Sequence, residues 1–414
     1  MRRAPVLFYC QHLLGIGHLQ RAARLVRALR RADEPVVLVQ GGRPVPDLDL
    51  ADADVVGLPP LGAADPAASR LARPDGEPPD AAYLETRRER LLAALRDADP
   101  AVVLIELFPF GRHALAGELG ALLLALEADR RRRGERAPRV AVSLRDVLVG
   151  RANQAWFELA ALAVVRQWVD RVLVHGSPDV VPLERTFALA AELGARLVYT
   201  GYLGPEPTGH ASPGPGGEVI VSGGGGQVAG PLFRAALAAR EESRHARGLP
   251  WRLVTGPYLP AAERAAVEAR VAGTPAGGER APVVVETFRP DFPALLGRAA
   301  LSVSQAGYNT VLDIVASRVR AVVVPYEGSG DEQPLRAALL AARGLLEVLP
   351  ESALTPAALA AAMDRALTRR GFPAAARLAL DGAARTVAAL QELAAPVRRA
   401  RGEPAATAQA GRCS

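Results

Sequence analysis

The chain has 414 residues, half of them apolar and 5% aromatic, with a formal charge of +6; that is too long for one ordinary core and suits two domains of roughly 200 residues each. It contains no lysine, which excludes a P-loop lysine, a Schiff-base lysine and a pyridoxal phosphate anchor. No apolar run reaches the roughly 18 residues of a membrane span, and the amino terminus lacks the h-region of a signal peptide. Cys10 and Cys413 lie at opposite ends, one in a predicted buried strand and one in a tail, which argues against a disulfide framework and for a reducing cytoplasm. The arginines are scattered among Asp and Glu, as compositional bias would leave them, so no nucleic-acid partner is expected.

In chain order, Val6–Cys10 reads as a buried strand, followed by a Gly-rich turn and a helix over Gly17–Arg31. Leu19, Ala22, Val26 and Leu29 give that helix one apolar face, with arginines around the rest. A strand over Val36–Gln40 ends at Gly41-Gly42, and residues 59–80, rich in Pro, Gly, Ala and Asp, read as a long irregular connection. A helix near Ala81–Asp97 precedes a strand at Ala101–Glu106; helices near Arg112–Arg132 and Gln154–Trp168 then alternate with strands at Val140–Ser143, Val172–His175 and Arg196–Thr200. After a stretch of Gly and Pro the alternation restarts, with strands near Val219–Ser222, Trp251–Thr255, Val283–Glu286, Ala300–Ser304 and Ala321–Pro325. Short apolar runs alternating with helices predict parallel sheets covered on both faces. The expected class is α/β, with two facing Rossmann-like domains and a cleft between them. The expected division is residues 1–204, a linker over 205–217, residues 218–394, and a disordered tail over 395–414.

Ligands of open parallel sheets bind at the carboxyl ends of strands, and three such places carry chemistry. Gly15-Ile16-Gly17-His18 follows the first strand and puts His18 in a first helical turn, where the dipole favours the neutral imidazole. Ser222-Gly223-Gly224-Gly225-Gly226-Gln227 follows the first strand of the second half, and its amides and open space suit a phosphate. Ser304–Thr310 runs into a helix over Val311–Ser317; Gly307, Asn309 and Thr310 stand at its start, and Asp313 sits where it can accept both ribose hydroxyls. Asp331-Glu332-Gln333 opens the next helix beside the same cleft. Glu106 ends a strand of the first half, and Arg145-Asp146 follows another; acceptor binding, orientation of His18 and a loop-holding ion pair are all open to them.

These motifs resemble family 28 glycosyltransferases, in the branch with the N-acetylglucosaminyltransferase that forms lipid II. The likeness covers most of residues 219–370 and the first thirty. It implies the GT-B type of fold, a donor site on Ser222–Gln227, Gly307, Asn309 and Thr310, a ribose held by Asp313, and a sugar contact at Gln333 with Glu332 beside it. It also makes His18 the candidate base. Asp313 stands where the family usually has Glu, and an arginine that meets the phosphates has no counterpart here. The His18 turn also resembles a nucleotide-sugar hydrolase of the same fold.

The expected activity is therefore inverting transfer from a nucleotide-diphosphate sugar, UDP-linked by the resemblance, to an acceptor hydroxyl on a glycan, lipid or small molecule. His18, or else Glu106, is the expected base. The donor is a substrate, and no metal or other cofactor is expected. Hydrolysis of the nucleotide-sugar, or binding without catalysis, are the alternatives. A lipid acceptor would add peripheral contact with the inner face of the membrane, with Arg130–Arg133 as its basic side.

Overall fold

The computed structural model describes residues 3–13, 15–45, 48–65, 70–205, 217–273, 281–328, 330–369 and 378–403. The first half runs β1 (Val6–Cys10), α1 (Gly17–Arg31), β2 (Val36–Gln40), β3 (Asp54–Gly57), a small antiparallel pair β4 (Gly62–Ala63) and β5 (Leu71–Ala72), α2 (Ala81–Ala98), β6 (Val102–Glu106), α3 (Ala116–Arg133), β7 (Arg139–Arg145), α4 (Gln154–Trp168), β8 (Arg171–His175) and β9 (Leu197–Tyr199). Its main sheet is parallel throughout, in the order β3-β2-β1-β6-β7-β8-β9.

The second half runs β10 (Val219–Ser222), α5 (Gly230–Glu242), β11 (Trp251–Val254), α6 (Ala261–Ala272), β12 (Val283–Glu286), α7 (Phe292–Arg298), β13 (Leu301–Ser304), α8 (Tyr308–Ser317), β14 (Ala321–Val323), α9 (Glu332–Ala342), β15 (Glu347–Val348), α10 (Pro356–Thr368) and α11 (Gly382–Arg401). Its parallel sheet has the order β12-β11-β10-β13-β14-β15. In each sheet the winding reverses beside the first strand, between β1 and β6 and between β10 and β13. Such switch points open a crevice at the strand carboxyl ends.

Local chemistry sets the elements. All five residues of β1 are buried, as a strand covered on both faces requires. In α2 the Asp80 side chain accepts from Tyr83 N at 2.8 Å, and Thr355 caps α10 ahead of Pro356. The edge strand β3 is mostly exposed and opens on an Asp, and β15 has two residues, so neither gives a hydrophobic run to read.

The predicted tail begins too early. α11 continues through Pro396 with Val397 and Arg398 buried, and Arg398 Nη2 lies 2.8 Å from Glu34 Oε2. Gln391 donates to the same carboxylate at 2.9 Å. The last helix among the described residues therefore returns to the first half. Its own polar face hid that docking, because the partner, Glu34, is distant in sequence. Residues 404–414 of the predicted tail and 206–216 of the predicted linker lie outside the described residues. One apolar cluster joins the halves, taking in Phe8 and Val26 of the first, Val311 and Leu312 of the second, and Leu390 of α11; each such side chain contributes about 1.5–3 kcal/mol by burial. Among the described residues no helix is long and apolar enough to cross a membrane.

Candidate active site

The turn after β1 meets the turn after β10. A Cβ built on Gly225 would lie 3.7 Å from Gly15 Cα, and one on Gly17 would lie 3.6 Å from Asn309 Nδ2. Asn309 Nδ2 donates to the Gly17 carbonyl at 2.9 Å. The three places read from the sequence thus line one cleft. A groove of about 1740 Å³ lies elsewhere, lined by Pro5, Val36 and Asp54 at the amino ends of the first sheet, the end of a doubly wound sheet where ligands do not ordinarily bind.

On the first side of the cleft, His18 Nδ1 stands 2.6 Å from Glu106 Oε1. Burial pushes the imidazole down to about 3, against the opposing pull of Glu106, so His18 is neutral at physiological pH. Neutral, with Nδ1–H donated to the carboxylate, it keeps Nε2 as a lone-pair acceptor. The cause of the low pKa is desolvation; the helix dipole expected from the sequence is not needed. Glu106 itself is 1% exposed. Burial alone would raise its pKa, but His18, Arg21 and Arg112 outweigh that and hold it well below the usual carboxylate range. Ionised and enclosed, Glu106 meets His18 and Arg21 through Oε1, while its Oε2 has no hydrogen-bond partner.

On the second side, the glycine loop behaves differently from expectation. Three of its four glycine amides are used internally: Gly223 N donates to Val254 O at 3.0 Å and Gly226 N to Gly223 O at 2.9 Å, and Gly224 N donates to Ser222 Oγ at 3.3 Å. The glycines are required for conformation and space. Gly226 has φ of +92°, and a Cβ there would fall 2.4 Å from Thr255 O. Gln227 is exposed at the rim. First-turn amides without an intrahelical acceptor come instead from α8, which starts at Tyr308, three residues earlier than expected. Gly307 precedes it and Val311 N makes the first intrahelical bond to Gly307 O, so Tyr308, Asn309 and Thr310 are the first-turn amides pointing at the cleft.

The acids predicted to hold sugar and ribose are engaged across the cleft. Asp313 Oδ1 accepts from Arg24 Nη2 at 2.6 Å, while Arg24 Nη1 donates to Leu203 O at 2.7 Å. Burial raises the Asp313 pKa, and Arg24 opposes the rise. Glu332 lies 2.8 Å from Arg145 Nη2 and 2.8 Å from Arg336 Nη2. Arg336 also lies 2.7 Å from Asp146 Oδ1. Arg145 and Asp146, left open by the sequence, thus belong to an ion-pair cluster between the halves. Gln333 Oε1 accepts from Ala306 N and Tyr326 N, both at 3.0 Å, so the amide is clamped with its nitrogen as the remaining donor.

Sequence reasoning missed Arg21, Arg24, Arg112, Arg336 and Tyr308. Arg21 was taken for a solvent-facing residue of α1, yet it is 2% exposed and lies over the Tyr308 ring at 5.6 Å. Tyr308 donates to His175 O at 2.8 Å and accepts from Leu203 N at 3.1 Å. The available signal was spacing: Gln20 and Arg24 lie one and two turns after Gly17 on one face, and that face meets Asn309 and Asp313.

Residues 219–390 match the model of the glycosyltransferase family 28 C-terminal domain. The second half is family 28-like. Relatives of this chain include a UDP-N-acetylglucosamine–N-acetylmuramyl-(pentapeptide) pyrophosphoryl-undecaprenol N-acetylglucosamine transferase of Methylorubrum extorquens strain PA1, 36% identical over 26% of this chain and 31% of the relative. A protein of the same name from Rhodospirillum centenum is 28% identical over 60% of this chain and 62% of its own length. The chain thus spans about a third of the length of the first relative and 62% of the second. Among solved structures, the calicheamicin glycosyltransferase CalG4 superposes with a TM-score of 0.55 at 16% identity, over 97% of this chain and 98% of that one. The two Rossmann-like domains are therefore arranged as in GT-B glycosyltransferases.

Proposed function

We propose that this chain is an inverting glycosyltransferase that takes a sugar from a nucleotide-diphosphate donor, UDP-linked as in the relatives' names, to an acceptor hydroxyl held by the first half. The observation that carries this reading is His18, hydrogen-bonded to a buried carboxylate in the turn whose Gly15 and Gly17 meet the glycine loop and Asn309 of α8. In the reaction His18 Nε2 takes the hydroxyl proton as the acceptor oxygen attacks the anomeric carbon. The bond from that carbon to the diphosphate breaks, and the leaving charge falls on the first-turn amides of Tyr308, Asn309 and Thr310. Glu106 stabilises the imidazolium that forms. Asp313 would hold the ribose, which requires Arg24 to release it, and Gln333 would donate to the sugar.

The protein would work at the cytoplasmic side, with peripheral membrane contact for a lipid-linked acceptor. Trp156 and Leu159 of α4, 72% and 60% exposed, are apolar side chains suited to that contact. The decisive experiment is a thermal-shift screen with UDP, GDP, CDP and dTDP compounds, followed by turnover with and without acceptors. Stabilisation by one nucleotide family is expected, by mass action. No stabilisation by any of them would remove the donor site, and free sugar released equally fast without acceptor would make the enzyme a hydrolase.

A further inference from the structure

We infer that the first half holds a subsite for a compact anion, a carboxylate or phosphate, clamped by Arg112 beside His18. This rests on the transfer reading above and deepens it by giving the acceptor a negative charge near its reacting hydroxyl. Arg112 closes the loop that follows β6, and both ends of that loop, Leu107 and Arg112, have positive φ, 69° and 63°, which non-glycine residues rarely adopt. The Arg112 side chain is 8% exposed, yet neither Nε nor Nη2 has a hydrogen-bond partner. Those two nitrogens form one edge of the guanidinium fork, the edge that grips two oxygens of a carboxylate or phosphate side by side.

Of their buried nitrogens, Arg21, Arg145 and Arg398 each leave Nε alone without a hydrogen-bond partner, whereas Arg112 leaves both Nε and Nη2 unmet. Two other buried arginines close every nitrogen. Arg87 sets Nε and Nη2 each 2.8 Å from an oxygen of Glu118, and its Nη1 donates to the Gly41 and Pro59 carbonyls. Arg336 likewise uses all three nitrogens. Glu106 meets Arg112 only at ion-pair range. Its Oε1 is taken by His18 and Arg21, and its Oε2, itself without a hydrogen-bond partner, stays 4.0 Å from Arg112 Nη2. Two guanidiniums therefore share one carboxylate, and with His18 neutral the group keeps a net positive charge. Buried donors left unmet are costly, and a ligand anion would supply acceptors within hydrogen-bond reach.

His12 adds to the same place. It is 3% exposed, and the Arg43 backbone approaches its ring without closing a hydrogen bond on either nitrogen. The charges of Arg112 and Glu106 both act on it, so these groups lie near one another at the carboxyl ends of β1 and β6. The donor's phosphates have their free amides on α8, in the other half, which leaves this place to the acceptor.

The test titrates the full chain with sodium phosphate and, separately, sodium acetate at constant ionic strength, following the His12 and His18 imidazole signals by NMR. A saturable shift with at least one anion is expected, and the two arms distinguish phosphate from carboxylate. Arg112→Gln should weaken that binding at least tenfold while UDP affinity, measured by calorimetry, stays as in the wild type. Arg112→Lys keeps the charge without the fork and should retain part of the affinity; it decides the matter where Arg112→Gln fails to fold. Absence of a saturable shift in the wild type, or equal anion affinity in folded Arg112→Gln and Arg112→Lys, overturns the inference. Loss of UDP binding in those variants also overturns it, by moving Arg112 to the donor site. A wild type that binds the anion through Arg112 but no nucleotide diphosphate supports the anion subsite and removes the transferase reading instead.

Discussion

Two charged clusters flank the cleft, and they are built on different arithmetic. In one, Arg145 and Arg336 meet Asp146 and Glu332, two cations and two anions, with Arg336 at 2% exposure and each carboxylate within 2.8 Å of a guanidinium. In the other, Arg21 and Arg112 share Glu106 alone, beside an imidazole that burial holds neutral. The closed cluster joins residues of both halves and balances its charge, with Arg145 Nε its one unmet donor. The open cluster lies within the first half and leaves donors unmet next to a lone pair. Burial is therefore a poor guide to function here by itself; what separates the clusters is the balance of charge and the number of donors left unmet.

The sharpest way to probe this contrast is His18→Ala, which should reduce turnover about 10²- to 10⁴-fold while leaving donor affinity nearly intact, because the donor sits on the second half. His18→Gln should behave alike, and a loss of donor affinity at unchanged turnover would make His18 a binding residue. On the closed side, Arg336→Met leaves Glu332 with Arg145 and takes from Asp146 its ion-pair partner; chemical denaturation should show a loss of about 3–5 kcal/mol. A cost no larger than that of a surface substitution would show that the cluster does not hold the halves. Between the two lies Asp313→Ala, expected to weaken nucleotide-sugar binding by roughly 1–3 kcal/mol in calorimetry. Unchanged affinity in the folded variant would leave Asp313 as a partner of Arg24 only.

The smallest effect compares the two sides through their histidines. Burial lowers His175 to about 3, and its ring nitrogens lie 2.8 Å from Ser143 Oγ and 2.9 Å from Thr200 Oγ1. A folded-state pKa below the unfolded value means that the unfolded chain binds more protons, so stability is complete above about pH 6.5 and falls as pH drops toward 4. The slope should be at most about 1.4 kcal/mol per pH unit for each such histidine, and His175→Gln should flatten the measured curve. His18 has the same sign, and its neutrality carries a kinetic consequence: the transfer rate should stay level from pH 8 to about pH 5. A rate limb centred between pH 6 and 7 would mean that the imidazole is not held neutral.

Much of this was legible beforehand because its causes are local. Val6–Cys10 is apolar at every position that a doubly covered strand buries, and the Gly-rich runs after β1 and β10 mark the strand ends where a ligand approaches a backbone. The Gly307–Asp313 stretch could be placed on a helix start from its glycine and its apolar spacing. What stayed hidden depended on partners far apart in the chain. Arg21 and Arg24 look like solvated helix residues until Glu106 and Asp313 arrive from 85 and 289 positions away. The glycine amides look free until Val254 O and Ser222 Oγ take them.

The sequence by itself determined the alternation of strand and helix, the doubling of one architecture, and which strand ends carry chemistry, since hydrophobic period and turn residues act over a few positions. Tertiary structure alone decided the rest: that α11 returns to Glu34, that Glu106 supports His18, that Glu332 and Asp313 are engaged across the cleft, and that Arg112 is left unmet. The reason is physical. A side chain's ionisation and free hydrogen bonds are set by the groups folding brings within about 4 Å, where desolvation and Coulomb terms are largest.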